Sequence, residues 1–467
     1  MASFGLLRSL TCVLVLAAPA CVIKLTDKNS PEENGAVSGV SANCGAMQIT
    51  PRGGAQGPEA KLKFVGRFDL RDPNAVKFDW SGNQIVARFQ NATRVSVKMA
   101  SEQTDVIFTA TLDGGSQTKI QVQAPKGLGG VKPPDAYLLF DGIAPGPHEI
   151  VLHRNTEAQS GVTTFGGFDF GGGTLLPPIP KNRRIEMIGD SITCGYGDEG
   201  QNATCPFDVE VRRSGDCSKI ENQSCEIVRV PLTENQFLAY GSIVGRQLDA
   251  DVTTVCWSGK GVERNYREPT PAGVDAKTTM PTYWRDRTLG SRINAPPTAP
   301  GAEVDPNAGI AWDFATEAEP QVVFINLGTN DFTRDVLLNN QGNAPGKDGV
   351  GDNVPDGDIN RATFQQTFAQ FVADVRAKRP NAHIFLAVPP MLTDQFPLDN
   401  ARKDLTAILR AIAADFDAKG DKKVYAMELV EQGTRYGLGC DYHPNLHVHE
   451  IMAEQTAGAI RSKTCWD

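Results

Sequence analysis

The chain has 467 residues, a net charge of −9, and 40% hydrophobic with 7% aromatic residues. That length exceeds one ordinary domain and predicts two or three, with enough apolar mass for packed cores. The acidic balance, with no long basic run, argues against nucleic acid as a partner.

Residues 1–20 read as an export signal. Arg8 supplies a basic start, Leu10 to Ala20 is an apolar stretch too short to span a bilayer, and Ala18-Pro19-Ala20 is a small-residue cleavage site. Cys21 follows, and two outcomes stay open: a secreted protein beginning at Cys21, or a lipoprotein held at the bacterial cell surface through acylated Cys21. Ala18 stands where lipoprotein signals usually carry leucine, which favours release. The cysteine count favours acylation. Ten cysteines less Cys12 of the signal leave nine, and only if Cys21 takes lipid can the other eight all pair. Cys217 with Cys225 is the favoured bridge, because both lie in one polar loop; buried free thiols are the alternative. Residues 21–60, rich in Gly, Pro, Ser, Asn and Glu, read as a flexible tether.

From Lys61 short alternating runs begin, among them Leu62 to Phe68, Gln84 to Phe89, Arg94 to Met99 and His148 to His153. Asp113-Gly114-Gly115 and Pro145-Gly146-Pro147 are turn signals between runs. Many short strands without a helical stretch predict an antiparallel β-sandwich of jelly-roll type over 61–175, its last strand ending near Phe170. Gly171-Gly172-Gly173 and Pro177-Pro178-Ile179-Pro180 read as a linker.

Residues 183–465 then alternate strands with helices. Strands are expected at 184–188, 252–257, 321–327, 383–388 and 423–427. Helices are expected at 234–248, with Thr233 and Gln236 forming a capping box, and at 360–378, 399–418 and 445–462. This alternation predicts an α/β domain, a parallel sheet covered by helices in three layers. Two long loops interrupt it. Residues 199–231 hold three cysteines. Residues 339–358 are rich in Gly, Asn and Asp, and read as a solvated rim; a calcium loop fits poorly, since Thr367 stands where the pattern counted from Asp356 needs Glu.

Three motifs carry chemistry. Gly189-Asp190-Ser191 follows an apolar run, which puts a serine on a tight turn at a strand end, where α/β hydrolases expose a nucleophile. Gly328-Thr329-Asn330-Asp331 follows a second strand, and Asp441-Tyr442-His443-Pro444 precedes the last helix. A serine hydroxyl needs a base. Of the six histidines, His148 and His153 fall in the sandwich, His383 opens an apolar strand, and His443 sits on a loop with Asp441 beside it to accept the second ring proton. The oxyanion donors expected are the Ser191 N–H, the Gly259 N–H and the Asn330 side-chain amide. Spacings of four and two do not place His443, His447 and His449 on one helical face, so no metal and no cofactor are expected. Trp257, Tyr266, Trp284 and Trp312 lie near the motifs and are candidates for stacking on a substrate; packing in core or loop is the competing reading.

At these residues the chain resembles the SGNH (GDSL-type) hydrolases: Ser191, Gly259, Asn330 with Asp331, and Asp441 with His443 match its four blocks in order. Gly189 to Gly197, Ser258 to Val262 and Asp441 to Asn445 are similar to the second family of carbohydrate esterases, as is a jelly-roll domain ahead of the hydrolase domain. The resemblance implies a metal-independent acetyl esterase acting on acetylated polysaccharide such as xylan or glucomannan, here expected to work as a monomer. Two departures stand out. Asp441 lies two residues before His443 where the wider superfamily has three, so triad and Ser–His dyad both stay open. Tyr442 stands where relatives often carry tryptophan, at a position that touches sugar. A related lipase, lysophospholipase or thioesterase, and a non-catalytic carbohydrate-binding lipoprotein, are the competing functions.

Overall fold

The computed structural model describes residues 61–125, 133–214, 226–266, 278–294, 308–332, 359–395, 400–433 and 435–466. Ten short strands come first: β1 (Leu62–Val65), β2 (Val76–Phe78), β3 (Gln84–Gln90), β4 (Arg94–Ser101), β5 (Val106–Leu112), β6 (Ser116–Val122), β7 (Tyr137–Asp141), β8 (Pro147–Arg154), β9 (Thr163–Asp169) and β10 (Thr174–Leu176). They pair antiparallel into two sheets, β1-β3-β8-β5-β6 with β10 also on β3, and β2-β9-β4-β7. Counted from β2 to β9, one sheet reads first, eighth, third, sixth and the other second, seventh, fourth, fifth, which is jelly-roll connectivity. Period-2 alternation sets the facing sides: Val95, Val97 and Met99 of β4 meet Phe89, Phe108 and Ile150 of the opposite sheet in one core.

The chain then winds an α/β layer. Its strands are β11 (Arg183–Gly189), β14 (Ala250–Cys256), β15 (Val322–Asn326), β16 (His383–Val388) and β17 (Val424–Glu428), all parallel in the order β14-β11-β15-β16-β17. The helices are α1 (Ser191–Cys194), α2 (Tyr240–Gln247), α3 (Met280–Asp286), α4 (Thr329–Phe332), α5 (Arg361–Lys378), α6 (Ala401–Ala418) and α7 (Leu446–Thr464). Successive strand residues point to opposite faces, so β15 divides its side chains. Val323 and Ile325 pack with Phe368 and Leu409 of α5 and α6, while Val322 and Phe324 pack with Tyr240 and Met452 of α2 and α7. Three layers result. Gly189 pairs with Cys256 on one side and Asn326 on the other, which aligns the carboxyl ends of β11, β14 and β15. Loops at such ends gather ligands where the strand order reverses.

Sandwich and α/β layer belong to one compact unit. Trp80 of the sandwich sits in the α/β core and donates its indole N–H to Thr288 O at 2.9 Å. Asp79 accepts the N–H groups of Gly290 and Ser291.

Four local expectations need correction. The helix expected from 234 begins only at Tyr240, with no side-chain cap. Gln236 is not the end of a capping box but a buried link: it accepts from His153 Nε2 at 2.6 Å and from Ser242, and donates to Thr254. Tertiary hydrogen bonds override the local cap signal. Within the loop 199–231, β12 (Val209–Ser214) and β13 (Glu226–Val230) form an antiparallel hairpin. The linker region carries β10, whose Thr174 to Leu176 pair with β3. Among the described residues Cys194 pairs with Cys256 and Cys205 with Cys440, pairings that sequence distance does not suggest, and Cys465 is disulfide-bonded as well; Cys217, Cys225 and the 339–358 loop lie outside the described residues.

Candidate active site

β11 delivers Ser191, the candidate nucleophile. A Cβ at Gly189 would lie 2.0 Å from Thr193 Oγ1, so the turn closes only on glycine. Asp190 caps α1, accepting the Ile192 N–H at 3.0 Å, and burial pushes its carboxyl up to about 7. Ser191 opens α1 with 5% of its surface exposed, and Gly195 ends the turn in the left-handed region at φ 80°.

His443 stands ahead of α7 on the loop from Cys440. That loop is tied down at Cys440, whose N–H donates to Gly197 O at 3.0 Å and whose sulfur is bonded to Cys205. His443 Nε2 lies 2.9 Å from Ser191 Oγ, although 252 residues separate them. Its Nδ1–H donates to the main-chain oxygen of Asp441 at 3.0 Å, which selects the tautomer whose free lone pair faces the serine. Burial pushes the imidazole down to about 4, so it is a neutral acceptor at ordinary pH.

The Asp441 carboxylate does not reach His443. It accepts the Tyr196 hydroxyl at 2.7 Å instead. The reason is backbone geometry: Asp441 and Tyr442 both lie in the left-handed region, at φ 50° and 60°, which turns the Asp441 carbonyl toward the ring. Tyr196 stacks flat on Phe207 at 3.7 Å and leans on the His443 ring at 4.4 Å. The sequence reading missed Tyr196 as a support for His443, although it lies inside the first motif.

Gly259 follows β14 at φ 78°, and its O accepts the Tyr266 N–H at 2.7 Å. The Asn330 amide links the two neighbouring loops, donating to Lys260 O at 2.9 Å and, at a long 3.5 Å, to Asp190 Oδ2. Asp331 holds the same loop from below: its carboxylate accepts the main-chain N–H groups of Val262, Glu263 and Arg264. Ser191, Gly259 and Asn330 thus lie on three adjoining loops at one edge of the sheet.

The aromatic candidates divide. Trp284 is fully buried and donates its indole N–H to Glu186 at 2.8 Å, so it is core and touches no substrate. Trp257 is half-buried, edge-to-face with Trp80 and Tyr283. Trp312 lies under the Arg67 guanidinium. Tyr266 and Tyr442 are 43% and 61% exposed. Among the described residues no three His, Cys, Asp or Glu side chains are grouped to hold a metal. His449 is buried with Nδ1 accepting the Tyr240 N–H, and exposed His447 faces Glu450.

A strand-end serine bonded to a histidine, behind a jelly roll, defines a serine acylhydrolase. A family model described as GDSL-like Lipase/Acylhydrolase matches residues 185–456, and one described as Carbohydrate esterase 2 N-terminal matches residues 64–180. The cellulase/esterase CelE of Acetivibrio thermocellus is 33% identical over 407 residues, 87% of this chain and 40% of that protein. The chain therefore spans less than half the length of CelE. An acetylxylan esterase / glucomannan deacetylase of Cellvibrio japonicus is 24% identical, over 87% of this chain and 89% of that protein. The solved structure of a family two carbohydrate esterase from Clostridium thermocellum, in complex with cellohexaose, is 31% identical, with a TM-score of 0.65 over 87% of this chain and 100% of that one. The chain belongs to the GDSL-like acylhydrolases and, within them, to the family two carbohydrate esterases.

Proposed function

We propose that the chain is a serine esterase that removes acetyl groups from cell-wall polysaccharide of the xylan or glucomannan type. The observation that carries this reading is the 2.9 Å contact between Ser191 Oγ and His443 Nε2. Ser191 Oγ attacks the acetyl carbonyl as its proton passes to His443 Nε2. The oxyanion is received by the N–H groups of Ser191 and Gly259 and by the Asn330 side-chain amide. Each such donor contributes about 3–4 kcal/mol to the transition state. His443 then protonates the departing sugar oxygen, the ester bond breaks, and the acetyl group stays on Ser191 as an ester. Water, deprotonated by the same ring, releases acetate and restores the hydroxyl. Tyr442 and Tyr266, exposed beside the site, offer faces for sugar rings. The names of the Cellvibrio relatives and the cellohexaose bound to the Clostridium enzyme support this substrate class.

The test is acetate release from a panel of acetylated glycans by the wild type and by Ser191→Ala. Loss of at least a thousandfold in the variant is expected; release at the wild-type rate would overturn the reading. Acetyl esters should turn over much faster than octanoyl esters, and equal rates would point to a lipase-type enzyme instead.

The same reading places the protein outside the cytoplasm. Two disulfides persist where the compartment is oxidising. Attachment through acylated Cys21 belongs to the proposal, and incorporation of labelled palmitate, lost in Cys21→Ser, tests it. A mature protein that carries no lipid would overturn that part alone.

A further inference from the structure

The sandwich reaches the catalytic loops through one buried carboxylate. Glu157 follows β8, precedes the short helical turn Ala158–Ser160, and is 0% exposed. It accepts the Ser258 N–H at 2.6 Å and also the Ser258 hydroxyl, so a single carboxylate holds both the main chain and the side chain of that residue. Ser258 immediately precedes Gly259. The Glu157 N–H in turn donates to Glu234 Oε1 at 3.1 Å. Burial, with Glu157 close by, pushes the Glu234 carboxyl well above the usual range, and burial raises Glu157 as well, against the pull of its two Ser258 donors. Buried Asp198 adds to that pressure on Glu234.

A buried carboxylate is retained only where donors hold it, and here the donors belong to the loop of another layer. Beyond Ser258 the loop is held by the Tyr266 N–H on Gly259 O, the Lys260 N–H on Trp257 O and the Asn330 amide on Lys260 O. The Trp257 N–H reaches Gly189 O on one side, and Asp331 gathers residues 262–264 on the other. Gly259 itself has no side chain to anchor it. Fixing Ser258 at two atoms restricts the Ser258–Gly259 peptide, whose N–H is the oxyanion donor.

We propose that Glu157 is a positioning residue for the oxyanion hole, which makes the β-sandwich a working part of the catalytic site. The inference rests on the role given to Gly259 under Proposed function. A displacement of about 1 Å in a catalytic group costs on the order of a hundredfold in rate, and a rotated peptide moves its N–H by a comparable amount.

The experiment measures kcat and KM of Glu157→Gln on 4-nitrophenyl acetate at 25 °C, beside the unfolding temperature and the rate at which a fluorophosphonate inactivates Ser191. Glutamine keeps the shape but presents its NH2 to one of the two Ser258 donors. The expected result is a fall in kcat of tenfold or more, KM within twofold of wild type, and a parallel fall in fluorophosphonate rate, since the phosphonyl oxygen uses the same hole. Ser258→Ala, which keeps the main-chain bond, should lose less. Wild-type kcat in Glu157→Gln, with or without a lower unfolding temperature, would overturn the proposal. If Glu157→Gln does not fold, Ser258→Ala decides: a several-fold loss of kcat supports it and wild-type kcat overturns it. Ser191→Ala run in parallel separates the two readings: an enzyme killed by Ser191→Ala yet indifferent to Glu157→Gln retains its proposed function and loses only this inference.

Discussion

The main-chain oxygen of Asp441 receives the His443 Nδ1–H at 3.0 Å, while the Asp441 carboxylate faces away and binds the Tyr196 hydroxyl. A carboxylate in that place would stabilise the imidazolium by a full charge; a carbonyl offers only a dipole. Asp441→Asn is therefore expected to keep kcat within about tenfold of wild type, because asparagine tolerates the left-handed backbone and can still accept from Tyr196. His443→Ala should lose a thousandfold or more. Asp441→Ala should fall between them, since alanine resists φ 50° and would turn the carbonyl off the ring. Steady-state kinetics on one acetyl ester check all three. An Asp441→Asn loss as large as that of His443→Ala would mean a full triad.

The two partners of the 2.9 Å Ser191–His443 contact were both singled out in the sequence because each follows from local grammar: Gly-Asp-Ser after an apolar run, and a histidine with proline at the start of the last helix. The five parallel strands were legible for the same reason, since buried strands read as unbroken apolar runs. What the sequence did not carry was direction. That Asp441 offers its carbonyl depends on two left-handed residues in succession, and neither is glycine. Trp284 reads as a sugar-stacking candidate by its distance along the chain, yet it fills the core beside Glu186. Glu157 has no signal at all, because its partner Ser258 is 101 residues away on another layer.

The pH dependence follows from His443. Only the neutral ring accepts the serine proton, and burial lowers its value to about 4. Lowering the value extends the active range toward acid, so the His443 limb of kcat/KM should fall only below about pH 5. An unperturbed histidine would give a limb near 6.5. Asp190, raised to about 7, adds a second, shallower step there. Asp190→Asn should remove that step and leave the acid limb in place. A single limb near 6.5, unmoved by Asp190→Asn, would contradict the burial argument.

Two glycines on the β14 loop should respond to different degrees. Among the described residues a Cβ at Gly259 meets only Tyr266 Cβ at 3.8 Å, so Gly259→Ala pays the left-handed backbone strain of about 1–2 kcal/mol without a clash against them. A Cβ at Gly261 would lie 2.0 Å from Arg264 O and 2.6 Å from Asp331 Oδ2. It would force apart the turn that Asp331 gathers. Gly259→Ala should keep a measurable share of kcat, whereas Gly261→Ala should lose activity more steeply and unfold at lower temperature. Thermal melts with kinetics at 25 °C decide between them, and the reverse order would refute the steric account.

Glu186 of β11 is the charge on which the two layers meet. It is fully buried, bonded to Arg379 Nε at 2.8 Å and to the Trp284 indole, with Arg67 of the sandwich at 3.7 Å. Burial alone would raise its carboxyl, but the two guanidinium groups outweigh that and hold it below the usual range. Glu186→Gln keeps the shape and leaves two buried cations facing each other with less to balance them. Breaking a buried pair from one side costs about 3–5 kcal/mol, so the variant should melt well below wild type while its kcat at 25 °C, with the chain still folded, stays close to it. A carboxyl whose folded value is lowered stabilises above its unfolded value and loses that effect as pH falls through the folded one. The gap between wild type and variant should therefore be full at pH 7 and shrink as the pH falls below the ordinary glutamate range. Denaturant melts at pH 7 and in acid measure it, and a gap that widens in acid would show that the two arginines do not set the charge on Glu186.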